Sequence, residues 1–244
     1  MSWIDWWPLA VCAFAAGLVR GFSGFGLSAV LVASGAFFMP PKTLIPSAQA
    51  LEVVASIWMI PSVWRDVHWK WLTPMAIAYA FAIPLGVAAL AYAPSDVLRV
   101  GGCLVLLIAS LCLLFNARPK LPDGFPLRFG TGLVAGFMAG ASSLGGMVAS
   151  TILFAASIPA KPLRATLIVL FFGSAIYSLC WGSWHGVVTK ATFVNAAWLA
   201  LPLLLGIAIG SRVFHVVGEA QFRKAVLSVL AILSIAGIVT AVVR

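Results

Sequence analysis

Gly17-Leu-Val-Arg-Gly-Phe-Ser-Gly-Phe-Gly26 and Gly132-Leu-Val-Ala-Gly-Phe-Met-Ala-Gly-Ala-Ser-Ser-Leu-Gly-Gly146 decide how this chain is read. They begin alike: Gly17, Leu18, Val19, Gly21 and Phe22 recur as Gly132, Leu133, Val134, Gly136 and Phe137. Each lies inside an apolar run and is followed by Pro and Lys: Pro40, Pro41 and Lys42 in one case, Pro159 and Lys161 in the other. Backbone that unwinds inside a bilayer leaves peptide groups without partners, which is tolerated only where protein or a water-filled cavity supplies them. Two interrupted apolar segments at corresponding places in two halves are the sequence signature of a transporter's binding site.

Composition sets the solvent. Hydrophobic residues make up 63% of the chain and charged residues 9%, and the mean hydropathy is +1.10. A soluble domain carries roughly a quarter charged residues, so lipid is the main solvent here. The apolar runs reach the roughly 20 residues that a membrane helix needs and leave no room for a separate soluble domain. The formal charge of +9 does not imply nucleic acid, because Lys and Arg lie singly or in short loops between apolar runs, as basic loops of membrane proteins do. Cys12, Cys103, Cys112 and Cys180 fall inside apolar runs without CxxC or Cys/His spacing; they read as small packing residues. The start of the chain carries Asp5 and no basic segment, unlike a cleaved signal, and Trp3, Trp6 and Trp7 look like an interfacial belt.

The glycine-split run from about Trp7 to Met39 is too long for one ordinary span. Its two pieces, at about 15 residues or roughly 22 Å of helix each, fall short of a hydrocarbon core of about 30 Å. That predicts a re-entrant hairpin, with one long broken helix as the alternative. Spans are predicted at about Leu44–Val63, Trp71–Ala93 and Val97–Phe115, with the polar loop Arg65–Lys70 and a capped turn at Pro94–Asp96 between them. Arg118 to Arg128, rich in Pro and charge, reads as a linker. The order then repeats: a split run at about Phe129–Ile158, then spans at about Leu163–Trp181, Ala191–Gly210 and Lys224–Val243. Trp64, Lys70 and Gly86 match Trp184, Lys190 and Gly206 at one constant offset, and Arg99 and Arg223 open the last helix of each half. The expected architecture is therefore all-α and polytopic: a first membrane repeat over residues 1–117, a cytoplasmic linker over 118–128 and a second repeat over 129–244.

Loop charge discriminates between hairpin and crossing helix. With hairpins, one side collects Arg65, Lys70, Arg118, Lys120, Arg128, Lys161, Arg164, Arg212, Arg223 and Lys224, and the other keeps Lys42, Arg99, Lys190 and Arg244. With crossing helices, the basic residues divide about evenly. The positive-inside rule favours the asymmetric arrangement. It puts both termini outside and makes the halves inverted repeats whose hairpin tips meet near the midplane. Eight crossing segments in parallel repeats remain the alternative.

In these features the chain resembles the TauE/SafE family of sulfite exporters, also known as the 4-toluene sulfonate uptake permease family. The resemblance is carried by the doubled G-L-V-x-G-F stretch, by Ser23-Gly-Phe-Gly26 in the first half, and by Ala139-Gly-Ala-Ser-Ser-Leu-Gly-Gly146 in the second. In each half a loop with Pro and Lys and a long span follow. The first half departs from the family pattern, since only Gly24-Phe-Gly26 stands where a longer glycine cluster is common. The resemblance implies a multi-pass carrier in the bacterial inner membrane for sulfite, sulfonates or related small organic anions. It implies no cofactor; the expected partners are the small anion, the bilayer and a second copy in a homodimer.

Arg20 is the leading candidate for anion contact, because a buried Arg needs a partner or a task and its planar fork suits the oxygens of sulfite or sulfonate. The competing reading pairs it with a carboxylate or with hairpin-tip carbonyls. Ser23, Ser142 and Ser143 could donate hydroxyls, or simply allow close helix approach. Gly24, Gly26, Gly145 and Gly146 permit positive φ and close backbone approach to a ligand, or helix packing. Glu52, with Gln49 one turn earlier on the same face, is either a proton carrier coupling transport to the proton gradient or the counter-ion of Arg20. Arg164 is a second anion contact or an interface residue, with Thr166 near it. Asn195 reads as an interhelical hydrogen bonder, and His68, His185 and His215 lack metal-ligand spacing. No Walker A pattern is present. The enzymatic alternative is a membrane phosphatase of the undecaprenyl-pyrophosphate type. It lacks a second intramembrane acid, a Ser-Arg-Ser cluster and a nucleophile–base pair.

Overall fold

The computed structural model describes residues 6–115, 124–155 and 159–213, together with positions 228, 231 and 235. The described residues are helical throughout, with no strand among them. The first half comprises α1 (Trp6–Ser23), α2 (Leu27–Gly35), α3 (Pro41–Val63), α4 (Trp69–Tyr92) and α5 (Ser95–Leu114). The second comprises α6 (Phe125–Ser142), α7 (Gly145–Ala155), α8 (Ala160–Trp184) and α9 (Lys190–Val213). Six of the described helical stretches are long and apolar enough to cross a membrane, so the chain is a polytopic all-α membrane protein. Of the expected span at Lys224–Val243 only positions 228, 231 and 235 are described, each of them helical, while Arg223, His215, Arg244, Trp3 and most of the Arg118–Arg128 linker lie outside the described residues.

Two expectations need correction. The helices run further into the glycine segments than expected. Gly17 and Gly21 are helical in α1, and Gly132, Gly136 and Gly140 are helical in α6. Their missing side chains admit a neighbouring backbone: a Cβ at Gly17 would meet the Leu203 carbonyl, one at Gly21 the Ile207 carbonyl, and one at Gly140 the Ile83 carbonyl. The true interruptions are short, Gly24 to Gly26 and Ser143 to Leu144. Helix ends therefore align Ser23 with Ser142, one turn away from the register in which Gly17 matches Gly132. The second correction is that α6 begins at Phe125, inside the expected linker, because Gly124 serves as N-cap and Pro126 suits the first turn.

Helix directions follow from the order of contacts. Trp6 meets Trp198, Gly17 meets Gly206, and Leu18 meets Gly210, so α1 and α9 run parallel. Arg128 lies over Trp71, Gly132 against Met75 and Gly140 against Gly86 and Val87, so α6 runs parallel to α4. By contrast, Asp66 pairs with Lys161 at 3.1 Å and the His68 N–H donates to Thr166 Oγ1 at 2.9 Å. Residues earlier in α3, Gln49 and Glu52, share a cavity with Phe171 and Ser174 of α8; α3 and α8 are thus antiparallel. Ser28 bonds Glu52 and Gly35 packs on Leu44, which makes α2 antiparallel to α3. Because the α8–α9 turn is short, α1 shares the direction of α3, and α1 with α2 forms a hairpin. The same logic makes α6 with α7 a hairpin entering from the opposite end.

Candidate functional site

The hairpin tips meet in the middle of the molecule. After α1 the chain turns through Gly24 (φ 78°) and Gly26 (φ 88°), and after α6 through Ser143 (φ 61°). Gly24 is a left-handed C-terminal position, its N–H donating to the Arg20 carbonyl at 2.8 Å; the Ser143 N–H donates likewise to the Ala139 carbonyl at 3.1 Å. The Ser143 hydroxyl donates to Ser28 Oγ at 3.1 Å, and Ser28 donates to Glu52 Oε2 at 3.2 Å. One hydrogen-bonded chain thus joins the two tips to a carboxylate on α3.

A cavity of about 30 Å³ lies at this junction. The first turn of α2 contributes Gly26, Ser28 and Ala29, and the first turn of α7 contributes Gly146 and Met147. Gln49 and Glu52 come from α3, while Ser174 and Ser178 come from α8. No side chain caps the α2 N-terminus. Both helices thus present first-turn amides and the positive end of the helix dipole to one small polar space. Ser178 is buried, 1% exposed, and its Oγ has no hydrogen-bond partner. Ser174 also borders a larger crevice of about 380 Å³ between α4 and α8, with walls such as Leu72, Ile83, Val169 and Leu170.

Among the expected site residues, Gly26, Gln49, Glu52, Ser143 and Gly146 line the cavity and the others do not. Arg20 is fully buried and already engaged. Nη1 donates to the Gly24 carbonyl at 2.7 Å, and Nη2 donates to Ser56 Oγ at 2.9 Å and pairs with Glu52 Oε1 at 2.7 Å. Its carbon Cζ sits 5.2 Å from the centre of the Phe171 ring. Glu52 Oε1 makes the ion pair without a directional hydrogen bond. Arg164 donates from Nη2 to the Gly21 carbonyl at 2.9 Å, and its aliphatic stem fills the space beneath Gly24. Both guanidinium groups therefore hold the carbonyl end of α1.

Ser23 bonds the Val19 and Phe25 carbonyls, and Ser142 bonds the Met138 carbonyl. Gly145 lets α7 approach the Ala135 carbonyl. Gln49 commits Nε2 to the Ala139 carbonyl at 3.2 Å, capping α6. Asn195 is buried in α9. Sequence reasoning missed Ser28, Ser174 and Ser178. Serines are common in membrane helices, and only the fold shows which ones face the junction.

The family model described as "Sulfite exporter TauE/SafE" matches residues 9–237. No curated protein and no solved structure matched the chain. The matched region spans both hairpins and every described residue that lines the cavity. It is a transport family, and the phosphatase alternative gains no support from it. The doubled glycine-broken hairpins, the helical membrane fold and this match lead to one conclusion: the chain belongs to the TauE/SafE sulfite exporter family.

Proposed function

We propose that the protein is a secondary carrier that exports small sulfur-containing or organic anions, such as sulfite and sulfonates including sulfoacetate, across the bacterial inner membrane. The observation that carries this reading is the junction of two opposed half-helix N-termini at a small cavity bordered by serine hydroxyls, Gln49 and Glu52. Discontinuous helices of this kind bind anionic groups in carriers, and helix N-termini do so in proteins generally. The anion is held by first-turn amides of α2 and α7 and by the hydroxyls of Ser28, Ser143, Ser174 and Ser178. Gln49 borders the same space. Arg20, Arg164, Ser23, Gly24, Ser142 and Gly145 hold the tips in shape.

At about 30 Å³ the cavity admits guests on the scale of water, so loading an anion requires the tips or α8 to move apart. That is the motion alternating access demands. The antiparallel sense of α3 and α8 supports reading the halves as inverted repeats with re-entrant hairpins. Arg65, Lys70, Arg128, Lys161 and Arg212 gather at one end and Lys42, Arg99 and Lys190 at the other, which supports a cytoplasmic Arg65 end and an outside N-terminus. Glu52, the one charged side chain among the described residues lining the cavity, is assigned to proton coupling.

Proteoliposomes loaded with sulfite, isethionate or sulfoacetate under an imposed pH gradient test the proposal. Wild type is expected to carry at least one of these anions, and Ser143→Ala, which loses one hydroxyl worth about 1 kcal/mol, is expected to show several-fold weaker apparent affinity. An Arg20→Met/Glu52→Gln double variant should exchange anion but no longer respond to the pH gradient. Absence of flux with every anion, from protein shown to be folded, refutes the carrier reading.

A further inference from the structure

The charges around the cavity nearly cancel, and what remains specifies the charge of the ligand. Around it stand Glu52 on α3, Arg20 on α1, Arg164 on α8 and the phenol of Tyr79 on α4; α2, α6 and α7 bring no ionisable side chain to its wall. Arg20 and Glu52 form a neutral pair at 2.7 Å. Arg164 is spent on the carbonyl end of α1, where it donates to the Gly21 carbonyl. That contact, with the Arg20 bond to the Gly24 carbonyl, offsets the negative end of α1 beside the site. The carbonyl end of α6, whose Ala139 lines the cavity and is capped by the neutral Gln49, takes up the other half of the Arg164 charge, so the uncompensated contribution is that of the α2 and α7 N-termini, each equivalent to about half a positive charge. Together they match one negative charge.

Two further observations point the same way. Ser178 Oγ is buried in the cavity wall without a partner, a hydroxyl left for a ligand oxygen, since buried polar groups ordinarily find one. The crevice that adjoins the cavity through Ser174 is walled mainly by apolar side chains, with Tyr79 and Tyr177 its other hydroxyl-bearing residues and no cation among them. It can receive an uncharged organic substituent but offers no charge partner to a second ionised group, whose burial unpaired is costly.

We infer that the cavity selects oxyanions carrying a single negative charge, with a neutral substituent or none: bisulfite and simple sulfonates such as isethionate, and not the sulfite dianion, sulfate or sulfoacetate. This rests on the carrier reading above and narrows it, removing the doubly charged sulfoacetate from the anions named there. Arg20 and Arg164 act as positioning residues that leave the two N-termini unopposed, without touching the anion.

The test is flux into proteoliposomes from about pH 6 to about pH 8, where each pH unit above the second ionisation of sulfurous acid lowers bisulfite about tenfold. Isethionate stays singly charged throughout, so the ratio of sulfite to isethionate flux cancels any titration of the protein itself. The expected result is a ratio that falls with the bisulfite fraction. Isethionate should also be preferred over sulfoacetate and sulfate by at least about tenfold, the factor set by roughly one unit of log affinity. A ratio independent of pH, or sulfate and sulfoacetate carried as well as isethionate, overturns the inference while leaving the carrier intact. Failure of every probe to move, from folded protein, overturns both.

Discussion

Arg20, which the sequence marks as a ligand contact, has partners that support a structural role instead. Its buried pairing with Glu52, together with bonds to Ser56 and the Gly24 carbonyl, engages both of its terminal nitrogens. Removing one partner of a buried pair leaves an uncompensated charge and costs about 3–5 kcal/mol, whereas replacing both by groups of similar volume is often near neutral. Arg20→Met and Glu52→Gln are each expected to lower thermal stability in detergent strongly. The double variant should recover most of the loss, giving a large coupling in the mutant cycle. Additive effects would mean that the two side chains do not form a pair. The same reasoning says that flux lost in Arg20→Ala would report a damaged tip and not a lost anion contact. Ser143→Ala and Ser178→Ala are the informative variants, because each removes a hydroxyl without disturbing a charge, whereas Ser28→Ala also takes the hydrogen bond from Glu52 Oε2.

At the scale of elements, the glycines do two separate jobs. Gly24 and Gly26 turn the chain with positive φ, whereas Gly17, Gly21, Gly206 and Gly210 let α1 and α9 touch backbone to backbone, as small residues do between membrane helices. A Cβ at Gly21 would meet the Ile207 carbonyl. Gly21→Val should therefore part α1 from α9, with a cost of about 1–3 kcal/mol for overpacking and a clear fall in melting temperature. Gly101 in α5 has nothing within 4 Å of an added Cβ, so Gly101→Ala should be neutral or stabilising by up to about 1 kcal/mol. Thermal melting of the two variants side by side checks this, and a melting temperature for Gly21→Val equal to wild type would refute the close-packed α1–α9 contact.

Across the whole molecule, the described basic residues are more numerous at the Arg65 end than at the Lys190 end, and the proposed orientation places the two ends on opposite sides of the membrane. Cysteines placed at Arg65 and Arg212 are expected to react with a membrane-impermeant maleimide only from the cytoplasmic side, and those at Asp96 and Lys190 only from outside. Cys12, Cys103, Cys112 and Cys180 would first be replaced, Cys180 above all because it is exposed. Labelling of Arg65→Cys and Lys190→Cys from the same side would refute the arrangement of hairpins and the orientation together. At this scale the halves exchange partners, with α1 lying along α9 and α6 along α4. Neither half closes its own packing, since α1 and α6 each find their main neighbour in the other half.

The sequence by itself determined the solvent, the helical class, the approximate spans among the described residues and the existence of two interrupted segments. Each of these depends on local properties: apolar length, glycine and proline punctuation, and the placement of Lys and Arg. It also exposed Gln49 and Glu52, since polar residues inside an apolar span stand out. The tertiary structure alone decided which glycines break helices and which pack them, because that depends on what lies opposite: the Leu203 and Ile207 carbonyls for Gly17 and Gly21, a turn for Gly24 and Gly26. It likewise decided that Arg20 faces Glu52, that Arg164 reaches Gly21, and that Ser28, Ser143, Ser174 and Ser178 converge on one cavity. Convergence of residues from α2, α7 and α8 is set by helix direction and rotation, and neither leaves a mark in the spacing of residues along a single chain.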